Sequence, residues 1–210
     1  MGGMFDIDSP VMNVLNKIMN LMILNLCFVA GCIPIFTAGA AMTALYSVNL
    51  KMVRNEESYI FSSYWRAFRE NFRQSTVCWI LLVCAGGILA ADFRAVRSLP
   101  KGPGKFLGGT TLIFLVIYCV LMLYIFPYMA RFQDRLGTCV KNAFLIGGSN
   151  PGCTITTALI TAAFTALSFS SIEVLLRAAF LWLLIGFSLL SYIHSFFFRK
   201  VFDKYTDTGR

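Results

Sequence analysis

Residues 18–33, 75–91, 108–130, 153–169 and 178–198 each run without a single Asp, Glu, Lys or Arg. Each run is close to or within the roughly 17–25 residues that a bilayer-spanning helix needs. Inside a bilayer the backbone must satisfy its own polar groups, so runs of this length predict membrane helices. The composition agrees, with 58% of residues hydrophobic and 13% charged, about half the charge of an ordinary soluble domain. The expected fold is all-α, a polytopic membrane helix bundle forming a single integral membrane domain over residues 1–210.

Local signals set the helix boundaries. Ser9-Pro10 is a cap followed by proline at the first helical position, so the first helix runs from Val11 to about Cys32. Pro34 follows, and Thr37 can cap a second helix that starts with Ala38-Gly39-Ala40-Ala41. A single kinked rod over residues 11–54 would be roughly 66 Å long, about twice the hydrocarbon thickness. A tight hairpin with its turn at the outer surface is therefore expected. Six spans result, at about 11–33, 38–53, 75–92, 108–130, 153–169 and 174–198. A kinked first helix would leave five. Gly39 and Ala44 give the return helix small-residue spacings that let backbones approach closely, with the first helix as the expected neighbour. The first helix carries Asn13, Asn16 and Asn20 along one stripe, either as interhelical glue or as the lining of a polar path.

Two segments are amphipathic rather than uniformly apolar. Over 59–74, Ile60, Phe61, Tyr64, Trp65, Phe68 and Phe72 share one face, opposite Arg66, Arg69 and Arg73. Over 131–145, Phe132, Leu136, Val140, Ala143 and Phe144 lie opposite Arg131, Arg135 and Lys141. Both read as interfacial helices on the cytoplasmic side, their aromatic and basic residues available to lipid headgroups or to a partner. The last span opens with the capping-box pattern Ser170-Ser171-Ile172-Glu173.

Orientation follows from the basic residues. With six spans, thirteen of the 18 Lys and Arg residues fall on the side of the N-terminus and five on the other. The positive-inside bias then places both termini in the cytoplasm. The net charge of +8 is spread between spans and not gathered in one lobe, which favours anionic lipid over nucleic acid as its counterpart. Seven cysteines, none in a CxxC pair, read as small packing residues of apolar helices.

Nothing in the sequence calls for catalysis, a cofactor or a metal. The one histidine, His194, lies among aromatics near the end of the last span, and no phosphate loop or dinucleotide fingerprint is present. The expectation is a non-enzyme.

The segments DSPVMNVLNKIMNLMILN, CIPIFTAGAAMTALYSVNLKMVRNEESYIF, FRENFRQST and YIFPYMARFQ resemble the signature stretches of the YesL-like family. These are small bacterial integral membrane proteins built on a domain of unknown function. The resemblance runs from residue 5 to about 150 and is strongest over 32–74, where Pro34, Thr37, Gly39, Ala44, Leu45, Tyr46, Lys51 and Arg54 occupy typical positions. It implies a bacterial cytoplasmic membrane protein working near sugar uptake, since relatives are often encoded beside carbohydrate importers of the ATP-binding-cassette class. Two functions are then in view. One is a non-catalytic accessory subunit contacting the permease subunits of such an importer. The other is a small-solute transporter in its own right.

Overall fold

The computed structural model describes residues 10–56, 59–98 and 101–207. Those residues form helices with no strand among them: α1 Pro10–Cys32, a 3-10 turn Ile35–Thr37, α2 Ala38–Val53, α3 Ile60–Ser98, α4 Lys101–Arg131, α5 Leu136–Ser149, α6 Pro151–Ser168 and α7 Ile172–Leu181. A π turn, Trp182–Gly186, then leads into α8, Phe187–Asp207. Among the described residues, five helical segments are long and apolar enough to cross a membrane: Val11–Cys32, Ile60–Ser98, Leu107–Arg131, Pro151–Ser168 and Ile172–Thr206. The protein is an all-helical, multi-pass membrane protein. At 16 residues α2 falls short of that length and occupies the centre of the bundle instead, with eleven of its residues buried.

The α1–α2 hairpin forms as expected, but its joint is built differently. Thr37 makes no capping bond to α2. Its hydroxyl lies 2.7 Å from both the Gly31 and the Pro34 carbonyl oxygens and so ties down the end of α1. The proposed Ser9 cap lies outside the described residues, while Pro10 does open α1. At the other end of α2 the chain closes in a Schellman turn, in which Glu56 N–H bonds the Lys51 carbonyl and Asn55 N–H that of Met52. Asn55 takes the left-handed conformation this turn requires, with φ of 57°.

The expected interfacial helix at 59–74 and the expected span at 75–92 are one helix, α3, of 39 residues. The change from polar to apolar composition near Gln74-Ser75 carries no proline or cap to break the helix, so only the polarity changes there. The face expected to lie on lipid is divided: Ile60 and Tyr64 are buried against α1 and α2, Trp65 and Phe68 are half-buried, and Phe61 and Phe72 stay exposed. Likewise the segment expected over 131–145 becomes the short helix α5, which buries Cys139, Ala143, Ile146 and Gly147. A Cβ at Gly147 would meet Val120 Cγ1 at 2.5 Å, so this glycine sets how closely α5 approaches α4. The Pro-, Gly- and charge-rich stretch between the third and fourth expected spans is largely helical, since α3 runs to Ser98 and α4 starts at Lys101.

The close neighbour of Gly39 is α3, not the expected α1. An ideal Cβ there would lie 2.5 Å from the Ser75 backbone oxygen and 2.6 Å from Trp79 Cβ. Thr43 and Ser75 share a buried hydroxyl contact of 2.9 Å beside it. Ala44, by contrast, lies within the cluster of Leu21, Leu24, Cys27 and Phe28 that α1 supplies. The hairpin turn therefore sits beside Ser75 and Trp79, whose indole N–H donates to the Ile35 carbonyl at 3.0 Å. From Trp79 to Ser98, α3 extends about 28 Å beyond that turn. Pro34 is exposed at the turn with Ile33, Ile35 and Phe36 around it.

Two clusters make up the core. One joins α1, α2 and α3 around Leu24, Ala44, Met52 and Tyr64. The other joins α4, α5 and α8 around Tyr124, Phe126, Cys139, Phe198 and Phe202, with Leu50 reaching in from α2. Stacked and edge-on rings, such as Tyr124 on Phe198 at 5.1 Å and Phe198 on Phe202 at 5.8 Å, fill the second.

Candidate functional site

Three polar features stand out against this apolar frame. The first lies where α1 meets the last helix. A π turn shifts the backbone register and leaves groups that the regular ladder would have used. Asn25, fully buried on α1, meets them: its amide nitrogen donates to the Trp182 and Leu183 carbonyls at 2.9 and 2.7 Å, and its oxygen accepts from Ser188 N–H at 2.9 Å. The stripe Asn13, Asn16 and Asn20 does not fill this role. Asn13 and Asn16 are exposed and Asn20 is half-buried, so the three do not line an interior path. The buried asparagine is five residues past the end of that stripe, on a different face of the helix.

The second feature is a polar seam between α2 and α8. Asn49 donates to the Ser188 carbonyl at 3.3 Å. Six residues along α8, His194 is 2% exposed and lies between Tyr46, whose hydroxyl is 3.3 Å from Nδ1, and Thr161 of α6, whose hydroxyl is 3.3 Å from Nε2. The imidazole is thus a cross-brace between three helices. Ser188, Ser191 and Ser195 continue the seam along α8, each buried. Apart from His194, the sequence marks these residues only as scattered serines in an apolar run.

The third lies at the end of the bundle that holds the α2–α3 connection. Arg54, Arg131 and Arg199 converge on the Asp203 carboxylate: Arg54 hydrogen-bonds it directly, Arg199 Nε is 3.6 Å away and Arg131 is 4.0 Å away. Arg199 also donates to the last carbonyl of α2, that of Val53, at 2.9 Å, a cation placed at the negative end of a helix. Beside the cluster opens a polar cavity of about 210 Å³, lined among others by Ser47, Lys51, Glu70 and Asn71. Arg131 is therefore tied into a half-exposed ion cluster with Arg54, Arg199 and Asp203. The adjoining turn is held by Tyr128, whose hydroxyl donates to Asp134 at 2.6 Å and accepts from Asn142 at 2.8 Å. Burial, reinforced by the Asp134 carboxylate, pushes the neighbouring Cys139 thiol upward from its ordinary pKa, which keeps it protonated and unreactive.

The remaining sequence candidates divide by exposure. Arg66, Arg69 and Arg73 are exposed on α3, and among the described residues none of them is ion-paired. Trp65 and Phe68 are half-buried in an aromatic ladder, 5.3 Å apart, with Phe72 a further 5.5 Å from Phe68. Arg135 and Lys141 are exposed at the start and on the outer face of α5. Among the described residues no three His, Cys, Asp or Glu side chains gather in a way that could hold a metal.

Comparison with known proteins reaches the same region. Residues 21–93 match the family model described as "Protein of unknown function, DUF624". The curated "Uncharacterized protein YesL" of Bacillus subtilis (strain 168) is 26% identical over 143 residues, a match covering 66% of this chain and 66% of that protein. No solved structure gives a significant match. These findings support a YesL-like family for this chain, with the family match running from the second half of α1 through α2 to Phe93 of α3.

Proposed function

We propose that this protein is a non-catalytic accessory subunit of a bacterial carbohydrate importer of the ATP-binding-cassette class, with both termini in the cytoplasm. The observation that carries the reading is the exposed face of α3 near its N-terminal end. Ile60, Ser63, Tyr64 and Ala67 anchor the helix in the core, which fixes Arg66, Arg69 and Arg73 facing away from the bundle beside exposed Phe61 and Phe72. An anchored surface of aromatic and arginine residues has the composition that protein interfaces favour. The spans offer further contact area: of the most apolar windows in α3, α6 and the last helix, 11% of each is buried within the chain. The tie to sugar uptake comes from the YesL-like resemblance alone. Charge reversal at Arg69 and Arg73, Arg69→Glu with Arg73→Glu, is expected to lower importer co-purification and growth on the imported glycan while the amount of this protein in the membrane stays level. Unchanged co-purification would sink the docking role of this face.

A second reading, a small-solute transporter in its own right, is favoured by the polar seam between α2 and α8. It requires solute flux by the purified protein alone in liposomes, and loss of that flux in Asn49→Leu. The exposed Asn16 is not expected to matter.

A further inference from the structure

Among the described residues, five buried side-chain oxygens have no hydrogen-bond partner, and three of them lie on α2 and the start of α8, two helices that Asn49 joins. They are Asn49 Oδ1 on α2 and the hydroxyls of Ser188 and Ser191 on α8. Asn49 and Ser188 are fully buried and Ser191 is 3% exposed. The Asn49 amide already reaches the Ser188 carbonyl, which brings the first two groups together. Ser191 follows Ser188 by three residues and so shares its face of the helix.

Burying one such group unpaired is costly, and burying three at one helix–helix contact is costlier than replacing them with alanine and leucine. A buried water typically makes about three hydrogen bonds to groups that would otherwise be unsatisfied. The chemistry here matches that valence: an amide oxygen that can only accept, and two hydroxyls that can donate or accept. A cation fits less well, because three neutral oxygens with no carboxylate among them offer neither the charge nor the ligand number a metal ion requires.

We propose that Asn49, Ser188 and Ser191 hold one buried water that bridges α2 to the start of α8. The site lies directly after the π turn that Asn25 secures, so an exchangeable molecule adds to the direct Asn49–Ser188 bond that joins the last helix to the centre of the bundle. This inference is independent of any importer partner.

The test uses the full-length protein in detergent. If the water is present, Ser188→Ala and Ser191→Ala each remove one of its anchors, and each lowers Tm by about 2–4 °C. Asn49→Ala and Ser191→Ala, whose side chains share no direct hydrogen bond, are then coupled, so the double variant loses less than the two single losses combined. Radiolytic footprinting in ¹⁸O-water, which labels side chains beside bound water, should also mark this segment in the wild type and not in Ser191→Ala. If the three oxygens have no guest, each Ser→Ala change leaves Tm unchanged or raises it, and footprinting gives no label. Either result overturns the proposal.

Discussion

Replacing Gly39 by alanine tests the central packing contact with one methyl group. The added Cβ would lie 2.5 Å from the Ser75 backbone oxygen and 2.6 Å from Trp79 Cβ, whereas ordinary contact begins at 3.4 Å. Neither neighbour can swing aside, since one is backbone and the other is the first atom of its side chain. α2 and α3 must therefore part by about 1 Å. That movement also lengthens the Thr43–Ser75 and Trp79–Ile35 hydrogen bonds, now 2.9 and 3.0 Å. Overpacking costs about 1–3 kcal/mol, and the better helix propensity of alanine returns about 1 kcal/mol, leaving a net loss of up to about 2 kcal/mol. Gly87 supplies the control. It lies in the interior of the same long helix with nothing within 4 Å of its Cβ position, so Gly87→Ala should gain about 0.5–1 kcal/mol. Reversible unfolding in mixed micelles, followed by circular dichroism as the fraction of SDS rises, measures both. A Gly39→Ala protein as stable as Gly87→Ala would refute the close approach of the two backbones.

Asn25→Ala leaves the Trp182 and Leu183 carbonyls and the Ser188 N–H without their side-chain partner, at about 1–3 kcal/mol for each group left buried. The same unfolding assay should show it among the most destabilising single changes in α1, and a neutral result would mean that the π turn does not depend on Asn25. At the α2 terminus, Asn55→Gly should be neutral or slightly stabilising and Asn55→Val destabilising by about 1–2 kcal/mol, because Asn55 occupies left-handed space that a β-branched residue resists. Equal stability of the two would refute the Schellman turn. In a cysteine-free background, an impermeant thiol reagent added outside intact cells should label a cysteine at position 97 and not one at position 36, since the hairpin turn ends beside Trp79. Labelling of both would place the turn at the outer surface.

Much of the architecture was readable from the residues, and its exceptions have physical causes. The limits of α2 follow from Pro34 before it and from the charged run after Lys51, and the structure places the helix at Ala38–Val53 as expected. The division of α3 into two elements failed because a shift in polarity is not a break. Composition tells where a helix sits relative to water, but only caps, prolines and glycines tell where it stops. The amphipathic patterns over 59–74 and 131–145 reported real two-sidedness, yet parts of both apolar faces pack against protein where lipid was expected, with Ile60, Tyr64 and Ala143 buried and Phe61, Phe72 and Phe144 exposed. Periodicity cannot distinguish those two apolar surroundings. For the site, Arg66, Arg69 and Arg73 were legible because exposed charge at helical spacing is visible in the sequence. Asn25 was not, since one asparagine in an apolar run looks the same whether it faces another helix or a lipid headgroup. The π turn WLLIG offers only Gly186 as a hint, and the convergence of Arg54, Arg131 and Arg199 on Asp203 depends on contacts between helices far apart in sequence.

An unbroken helix of 39 residues is also a mechanical part. At about 1.5 Å per residue α3 is a rod of about 58 Å, gripped where Gly39 admits the Ser75 backbone. That grip divides it into arms of about 22 Å toward Ile60 and about 35 Å toward Ser98. A rigid tilt of about 5° around this fulcrum would shift the Ile60 end by about 2 Å and the Ser98 end by about 3 Å. A push delivered at the Ile60 end of the short arm, which also carries the arginines, is geared up by about half again at the opposite end, with no hinge in between to absorb it.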